Sequence, residues 1–312
     1  MNDTVAQRAV ARRREFVRYP HEGPVPEVDI IGDCGGAASP RVSVIIPVAD
    51  GTRSQTLERL LEQLRVQRFR EFEVIVVRGD RRQGRAINTG AAIARGDILV
   101  TMDDDTRLGD TAVLEVLVRT LDGDATIGAA GVPNLVPQDA PPIVRRALRE
   151  IPRRSSPAVD AVTDSDLAEH GCLAIRRDLF YRVGGEHEQI PRGLDPYLRR
   201  EVRRLGCRVV VVPGVSIHHV LPPTLPRILR LFVRNGIRAA YVKKFYPEYV
   251  IEQATTHGEA VPEETGLPRR AGRFVLHLAG AVASGRWIYL GTLVSYALGY
   301  LWGLATLRKD SL

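Results

Sequence analysis

The chain has 312 residues, 26% of them charged and 44% hydrophobic, with a net charge of +7 and three cysteines. That length can bury one large α/β core with appendages, and the widely separated Cys34, Cys172 and Cys207 supply neither a disulfide framework nor metal-ligand spacing, which favours a reducing compartment. The positive charge asks for an anionic partner, but no aromatic interleaving, zinc-finger spacing or RNA-binding signature accompanies the arginines, so nucleic acid is not the expected one.

Residues 1–40 read as a basic helical start with no apolar signal core, followed by the Gly/Pro-containing linker VPEVDIIGDCGGAASP. RVSVIIPV is the first strong strand, because a β-branched run without polar alternation suits a parallel strand covered on both faces. Leu57, Leu60, Leu61 and Leu64 repeat at a helical period. FEVIVV is a second buried strand, residues 86–95 form a short helix closed by Gly96, and DILVTM is a third strand. Strand, helix, strand, helix, strand within about seventy residues is a doubly wound unit, whose ligands bind at the carboxyl ends of the strands. A helix over 111–121, the strand IGAAGV, an arginine-rich helix over 143–151, the strand GCLAIRR and a helix over 196–205 follow. CRVVVVPGVSIHH is the last buried strand and ends in two histidines. The expected division is an extension and linker over 1–40, a catalytic domain over 41–222 and a helical region over 223–312.

The stretch TMDDDTRLGD puts three carboxylates in a row at a strand end, where their mutual repulsion calls for an explanation. Asp103 and Asp105, one residue apart, can reach one Mg2+ or Mn2+ and leave positions open for phosphate oxygens. A solvated acidic turn is the other reading. No GxxxxGK[ST] loop is present, which excludes a P-loop enzyme.

The ordered segments VSVIIPV, GRAINTGAAIARGDILVTMDDDT, GCLAIRRDLFYRVGG and GLDPYLRREVRRLGCRVVVVPGVSIHH resemble those of inverting family-two glycosyltransferases, from Val42 to Pro247. The resemblance implies an α/β fold of GT-A type, a doubly wound, mostly parallel sheet flanked by helices. It also implies that Asp103 and Asp105 bind the metal that holds the donor diphosphate, with His219 at a position that is sometimes a third ligand. Pro47, Asp80, Arg85, Asn88 and Asp104 fall on the donor side, Gly184 and Gly185 on the acceptor-side turn, and Asp195 on the general base. Arg78 is the alternative to Asp80, meeting a phosphate in place of the base. Glu186 and His187 stand where the pattern has phenylalanine and aspartate, and Leu194 and Tyr197 stand where it has acids. Several of these residues also have plain structural readings: a surface Arg85, a helix-capping Asn88, a hydrogen-bonded strand-end His219, and Asp195 as an N-cap with Pro196 at N1.

Arg227, Arg230, Arg234 and Arg238 repeat at helical spacing and offer a cationic face to lipid headgroups or a diphosphate-bearing acceptor. Residues 287–307 are uncharged and bracketed by Arg286 and by Arg308 with Lys309. At ~1.5 Å per residue they are long enough to cross a ~30 Å hydrocarbon core. Tyr289, Thr292, Tyr296, Gly299 and Gly303, with Gly285, line one face, which equally suits an interfacial helix or packing on the catalytic domain. If the segment spans, Arg269, Arg270, Arg273 and Arg286 place the catalytic domain on the cytoplasmic side. Peripheral or single-pass association with the cytoplasmic side of the cell membrane is therefore expected.

The expected function is metal-dependent, inverting transfer of a sugar from a nucleotide-sugar donor to a hydroxyl of a glycan or lipid-linked acceptor. A nucleotidyltransferase of similar fold is one alternative. A catalytically silent, membrane-bound binding protein is the other, favoured by the missing acids at 194 and 197.

Overall fold

A computed structural model describes residues 2–31, 39–49, 54–219, 221–259 and 267–311; Cys34 and its glycine-rich surroundings lie outside them. In chain order the first elements are α1 (Asn2–Arg13), β1 (Glu27–Ile31), β2 (Val42–Val48), α2 (Ser54–Arg65), β3 (Phe72–Arg78), α3 (Gln83–Ile93) and β4 (Ile98–Thr101). Then come β5 (Thr106–Leu108), α4 (Val113–Gly123), β6 (Ile127–Gly131), α5 (Pro142–Glu150), β7 (Thr163–Asp164), β8 (Leu173–Arg176) and α6 (Arg177–Val183). The remainder is α7 (Leu194–Arg204), β9 (Arg208–Val211), β10 (Ile217–His219), α8 (Leu225–Phe245), α9 (Leu267–Ala283) and α10 (Trp287–Thr306).

Eight strands form one sheet in the order β1-β3-β2-β4-β8-β6-β9-β7. The pairings make β2, β3, β4, β6 and β9 run in one direction and β1, β7 and β8 in the other, a mostly parallel sheet. Successive strand residues project to opposite faces, and β2 is buried on both. Val44 and Ile46 pack with Leu57, Leu60 and Leu64 of α2 and Leu117 of α4. Ile45 between them belongs to the opposite layer, with Ile87 and Ala91 of α3, Phe180 of α6 and Leu198 of α7. Each fully buried aliphatic side chain of this kind contributes about 1.5–3 kcal/mol.

The region expected as extension and linker is integral to the fold. Glu27–Ile31 pairs antiparallel with β3 as an edge strand, and Arg78 of β3 bonds Asp29 at 2.9 Å. Val28 is buried within the core, as are Ala6 and Ala9 of α1. Five residues with a single inward-facing valine are too short a pattern to announce a strand beside a Gly/Pro-rich segment.

At the other end α8 and α10 run parallel and in close contact. A Cβ at Gly236 would lie 2.1 Å from the Tyr296 carbonyl oxygen, and one at Gly299 would lie 2.1 Å from that of Val233, so the backbones approach where only glycine fits. Tyr289, Thr292, Gly299 and Gly303 of the anticipated face are buried; Gly285 sits in the turn before the helix with φ +65°.

Candidate active site

The carboxyl end of β4 delivers the acidic triplet into a turn closed by the Thr106 N–H on the Asp103 carbonyl at 3.0 Å. Immediately after it, β5 pairs with β10 in a separate two-stranded sheet whose register sets His219 opposite Thr106. His219 Nε2 thereby lies 3.0 Å from Asp105 Oδ1, and its Nδ1 lies 3.9 Å from Asp103 Oδ2. One ligand atom from each of Asp103, Asp105 and His219 can be chosen so that all lie within 4.8 Å of one another. Gln83, the first residue of α3, donates to Asp103 Oδ1 at 2.8 Å, and Asn134 Oδ1 accepts the His219 N–H at 2.9 Å. Asp104, between Asp103 and Asp105 in the chain, is buried.

Burial, reinforced by the neighbouring Asp105 and Asp195 and opposed by His219, pushes Asp103 up to about 6. For His219 burial works downward, yet the facing Asp105 and Asp103 prevail and raise it to about 9. The imidazolium thus balances the carboxylates, the charge a divalent ion would supply in its place. Two carboxylate oxygens and one imidazole nitrogen fit Mg2+ or, better, Mn2+.

Asp195 occupies the second position of α7. The helix starts two residues earlier than the sequence pattern places it, behind Gly193 in the left-handed region at φ 91°, so Asp195 is not its N-cap. Its Oδ1 accepts the backbone N–H of His170 at 2.7 Å. Burial, which alone raises a carboxyl, is outweighed by the charges of His170 and Arg199 and by that hydrogen bond, so Asp195 stays below the ordinary range and ionised. Its charge acts on Asp103 and helps to raise that carboxyl.

His170 and Glu186 are the residues that sequence reasoning passed over. The His170 ring is buried with Nδ1 at 2.8 Å from Thr101 Oγ1 and Nε2 at 2.9 Å from Glu186 Oε1. Burial lowers its pKa, but the carboxylates of Glu186, Asp195 and Asp103 raise it to about 9. A fixed imidazolium therefore stands between Asp195 and Glu186. Glu186 in the motif position of a phenylalanine was the one available signal; a lone histidine between Glu169 and Gly171 gave none.

The remaining site candidates form a bracing layer. Asp80, just past β3, accepts the Arg82 N–H at 3.0 Å and Arg85 Nη1 at 2.9 Å, and burial raises its carboxyl. Arg85 is 2% exposed, not a surface arginine, and it also donates to the carbonyls of Gly23 and Pro24. Asn88 is buried within α3 and caps nothing. It donates to the Glu186 carbonyl at 2.9 Å and Glu188 Oε1 at 3.0 Å and accepts the Glu186 N–H at 2.8 Å. Gly184 and Gly185 hold φ of +89° and +64°, and a Cβ at Gly185 would stand 2.6 Å from Asn88 Oδ1. Pro47 is half-buried near the carboxyl end of β2.

Residues 45–184 match the family model described as glycosyl transferase family 2. The chain carries a family 2 glycosyltransferase domain. Among solved structures the chain is similar to the mannosyltransferase PcManGT from Pyrobaculum calidifontis in complex with GDP-Man and Mn2+. The TM-score is 0.54 at 17% identity, over 96% of each chain. It is also similar to S. aureus TarS 1-349 in complex with UDP-GlcNAc, at TM-score 0.46 and 13% identity, over 65% of this chain and 66% of that one. The first likeness shows a shared fold, the GT-A type that the glycosyltransferase domain was expected to have. No curated protein sequence matches the chain.

Proposed function

We propose that the glycosyltransferase domain transfers a sugar, with inversion, from a nucleotide-sugar donor to a hydroxyl acceptor. The observation that carries the reading is the convergence of Asp103, Asp105 and His219 beside an ionised Asp195 at the carboxyl edge of the sheet. The complex of PcManGT with GDP-Man and Mn2+ supports the same assignment of donor class and metal. Mg2+ or Mn2+ on these ligands supplies positive charge for the departing nucleoside diphosphate. Gln83 and Asn134 hold two of the ligands in place, and the His170 N–H fixes Asp195. Asp195 accepts the proton of the acceptor hydroxyl as its oxygen attacks the anomeric carbon from the face opposite the leaving group. Asp80, Asp104 and Pro47 line the donor side. Arg85, Asn88 and the Gly184–Gly185 turn are positioning residues.

A thermal-shift series of nucleotide sugars with and without Mn2+ tests this, because the true donor raises the melting temperature. The same donor must then yield a nucleoside diphosphate and a glycosylated product, both lost in Asp105→Ala. Release of pyrophosphate from a nucleoside triphosphate would instead assign a nucleotidyltransferase.

The C-terminal helices support a peripheral membrane seat over a span. α10 is 20 residues long with a window of mean hydropathy 1.3, one third of it buried. Along its length lies α8, from Leu229 beside Gly291 to Lys244, whose Nζ donates to the Leu304 and Leu307 carbonyls. A span of α10 would carry the exposed Arg230 and Arg234 of α8 into hydrocarbon, at about 2.5–3.5 kcal/mol each near the midplane. Lying in the interface, the same arginines meet headgroups, while Leu298, Leu301 and Trp302, each more than half exposed, enter the acyl boundary. Arg269 and Arg270, counted for the orientation of a span, lie outside the residues whose side chains are described.

A further inference from the structure

The segment after α5 carries Arg153, at φ 63° the one non-glycine residue with a left-handed backbone among the described residues. A side chain in that region is strained unless its surroundings over-determine it, and such residues gather at functional sites. At Arg153 the surroundings are polar contacts of the guanidinium, whose side chain is 16% exposed. Nη2 donates to the Asp166 carbonyl at 2.8 Å and to Glu169 Oε1 at 2.5 Å, and Nη1 donates to the Ala254 carbonyl. One planar fork thus ties together two stretches of chain that are far apart in sequence.

Glu169 adjoins His170, whose N–H bonds Asp195 Oδ1 at 2.7 Å. The Glu169 carbonyl accepts the Cys172 N–H at 3.1 Å, closing the turn that presents His170. Ala254 returns its own N–H to Asp166 Oδ2 at 2.9 Å, so the turn and the stretch after α8 are clamped from both directions. The residues that follow Arg153 serve the metal ligands. The Arg154 carbonyl accepts Asn134 Nδ2 at 3.1 Å, the Ser156 N–H donates to the Asn134 carbonyl at 2.8 Å, and Ser156 Oγ accepts the Asn134 N–H at 2.8 Å. Asn134 is the residue that holds His219. Residues 153–156 therefore brace both His219 and the turn that holds Asp195.

We propose that Arg153 is a positioning residue for sugar transfer: by clamping Glu169 it keeps the His170 N–H on Asp195 and fixes the base relative to the metal ligand His219. The inference rests on the glycosyl-transfer reading, which gives Asp195 its role.

Arg153→Gly tests it, because glycine adopts a positive φ freely and the change removes the guanidinium while keeping the backbone. The variant lowers kcat by about 10–100-fold, the effect of a base displaced by a fraction of an ångström to an ångström, with the donor KM unchanged. The Mn2+-induced rise in melting temperature stays, since the contacts of residues 154 and 156 with Asn134 remain. Glu169→Ala lowers kcat in the same direction but less, because Arg153 keeps its two carbonyl partners. The double variant is no worse than Arg153→Gly alone. A readout without turnover is the amide resonance of His170 in the metal-free chain, assigned by its response to Asp195→Asn: it moves upfield in Arg153→Gly as the bond to Asp195 lengthens. An unmoved His170 amide in the folded variant overturns the proposal. Wild-type kcat, a loss that appears in the donor KM, a loss no larger than the fall in folded protein, or additive losses in the double variant overturn it as well. Should Arg153→Gly not fold, Glu169→Ala carries both the kcat and the amide readouts, at a glutamate that is 38% exposed. Failure of the wild-type chain to transfer from any nucleotide sugar counts against the reaction, whereas the His170 amide reports on Arg153 alone.

Discussion

The acids at the carboxyl edge of the sheet and the arginines of α8 carry opposite charge in different settings. On the strand side each acid already has a donor: Gln83 for Asp103, His219 for Asp105 and the His170 N–H for Asp195. On α8, by contrast, Arg227, Arg230 and Arg234 are exposed and form no ion pair among the described residues. A partnered charge is oriented before substrate arrives, which is what catalysis by fixed dipoles requires. An exposed arginine keeps its hydration and its rotamer freedom. The contrast separates a cluster oriented by its own partners from a solvated helix face.

Changes on the strand side test that division most severely. Asp195→Asn lowers the turnover of sugar transfer by about 10²–10⁴-fold, the usual worth of a general base, with nucleotide-sugar affinity unchanged. A loss of donor affinity in its place would move Asp195 out of the chemical role. His170→Asn comes next, through stability. The folded His170 lies near 9, above its ordinary 6.5, so its contribution is fully present below pH 6.5 and is lost as pH rises through 9. At 1.36 kcal/mol per pH unit the buried imidazolium is worth about 3 kcal/mol. Urea unfolding of wild type and variant at pH 6 and pH 9.5 should show the gap closing; a gap independent of pH would deny that the imidazolium is fixed by its carboxylates.

The ion is the third test. Mn2+ at a hundredfold its dissociation constant stabilises the wild-type fold by about 2.7 kcal/mol, seen as a raised melting temperature that Asp105→Ala loses. The smallest expected effect lies in the bracing layer: Gly185→Ala forces a left-handed residue against Asn88 and costs about 1–3 kcal/mol of stability. Its transfer activity should fall only as far as the folded fraction does.

What could be read from the sequence is what local periodicity encodes. The buried strands β2, β3 and β4, the leucine spacing of α2 and the acidic turn after β4 each announce themselves within a dozen residues or so. His219 was reachable because it ends a recognisable strand. Edge strand β1 was hidden by its brevity, and His170 by having no motif of its own. Arg85 gave no sign that its partners would be Asp80 and the backbone of Gly23 and Pro24. The packed face of α10 was visible from its glycines and tyrosines, but its neighbour was not. That neighbour matters, because a helix packed along α8 offers less of its surface to lipid than one standing alone.

Arg13 and Glu188 are fully buried against each other and 175 positions apart in the chain. During synthesis, at roughly 5–20 residues per second, α1 would wait on the order of ten seconds or more for the acid that neutralises it. Until then its arginine has no place in any interior. α1 thus stays unlocked until the segment between α6 and α7 has emerged.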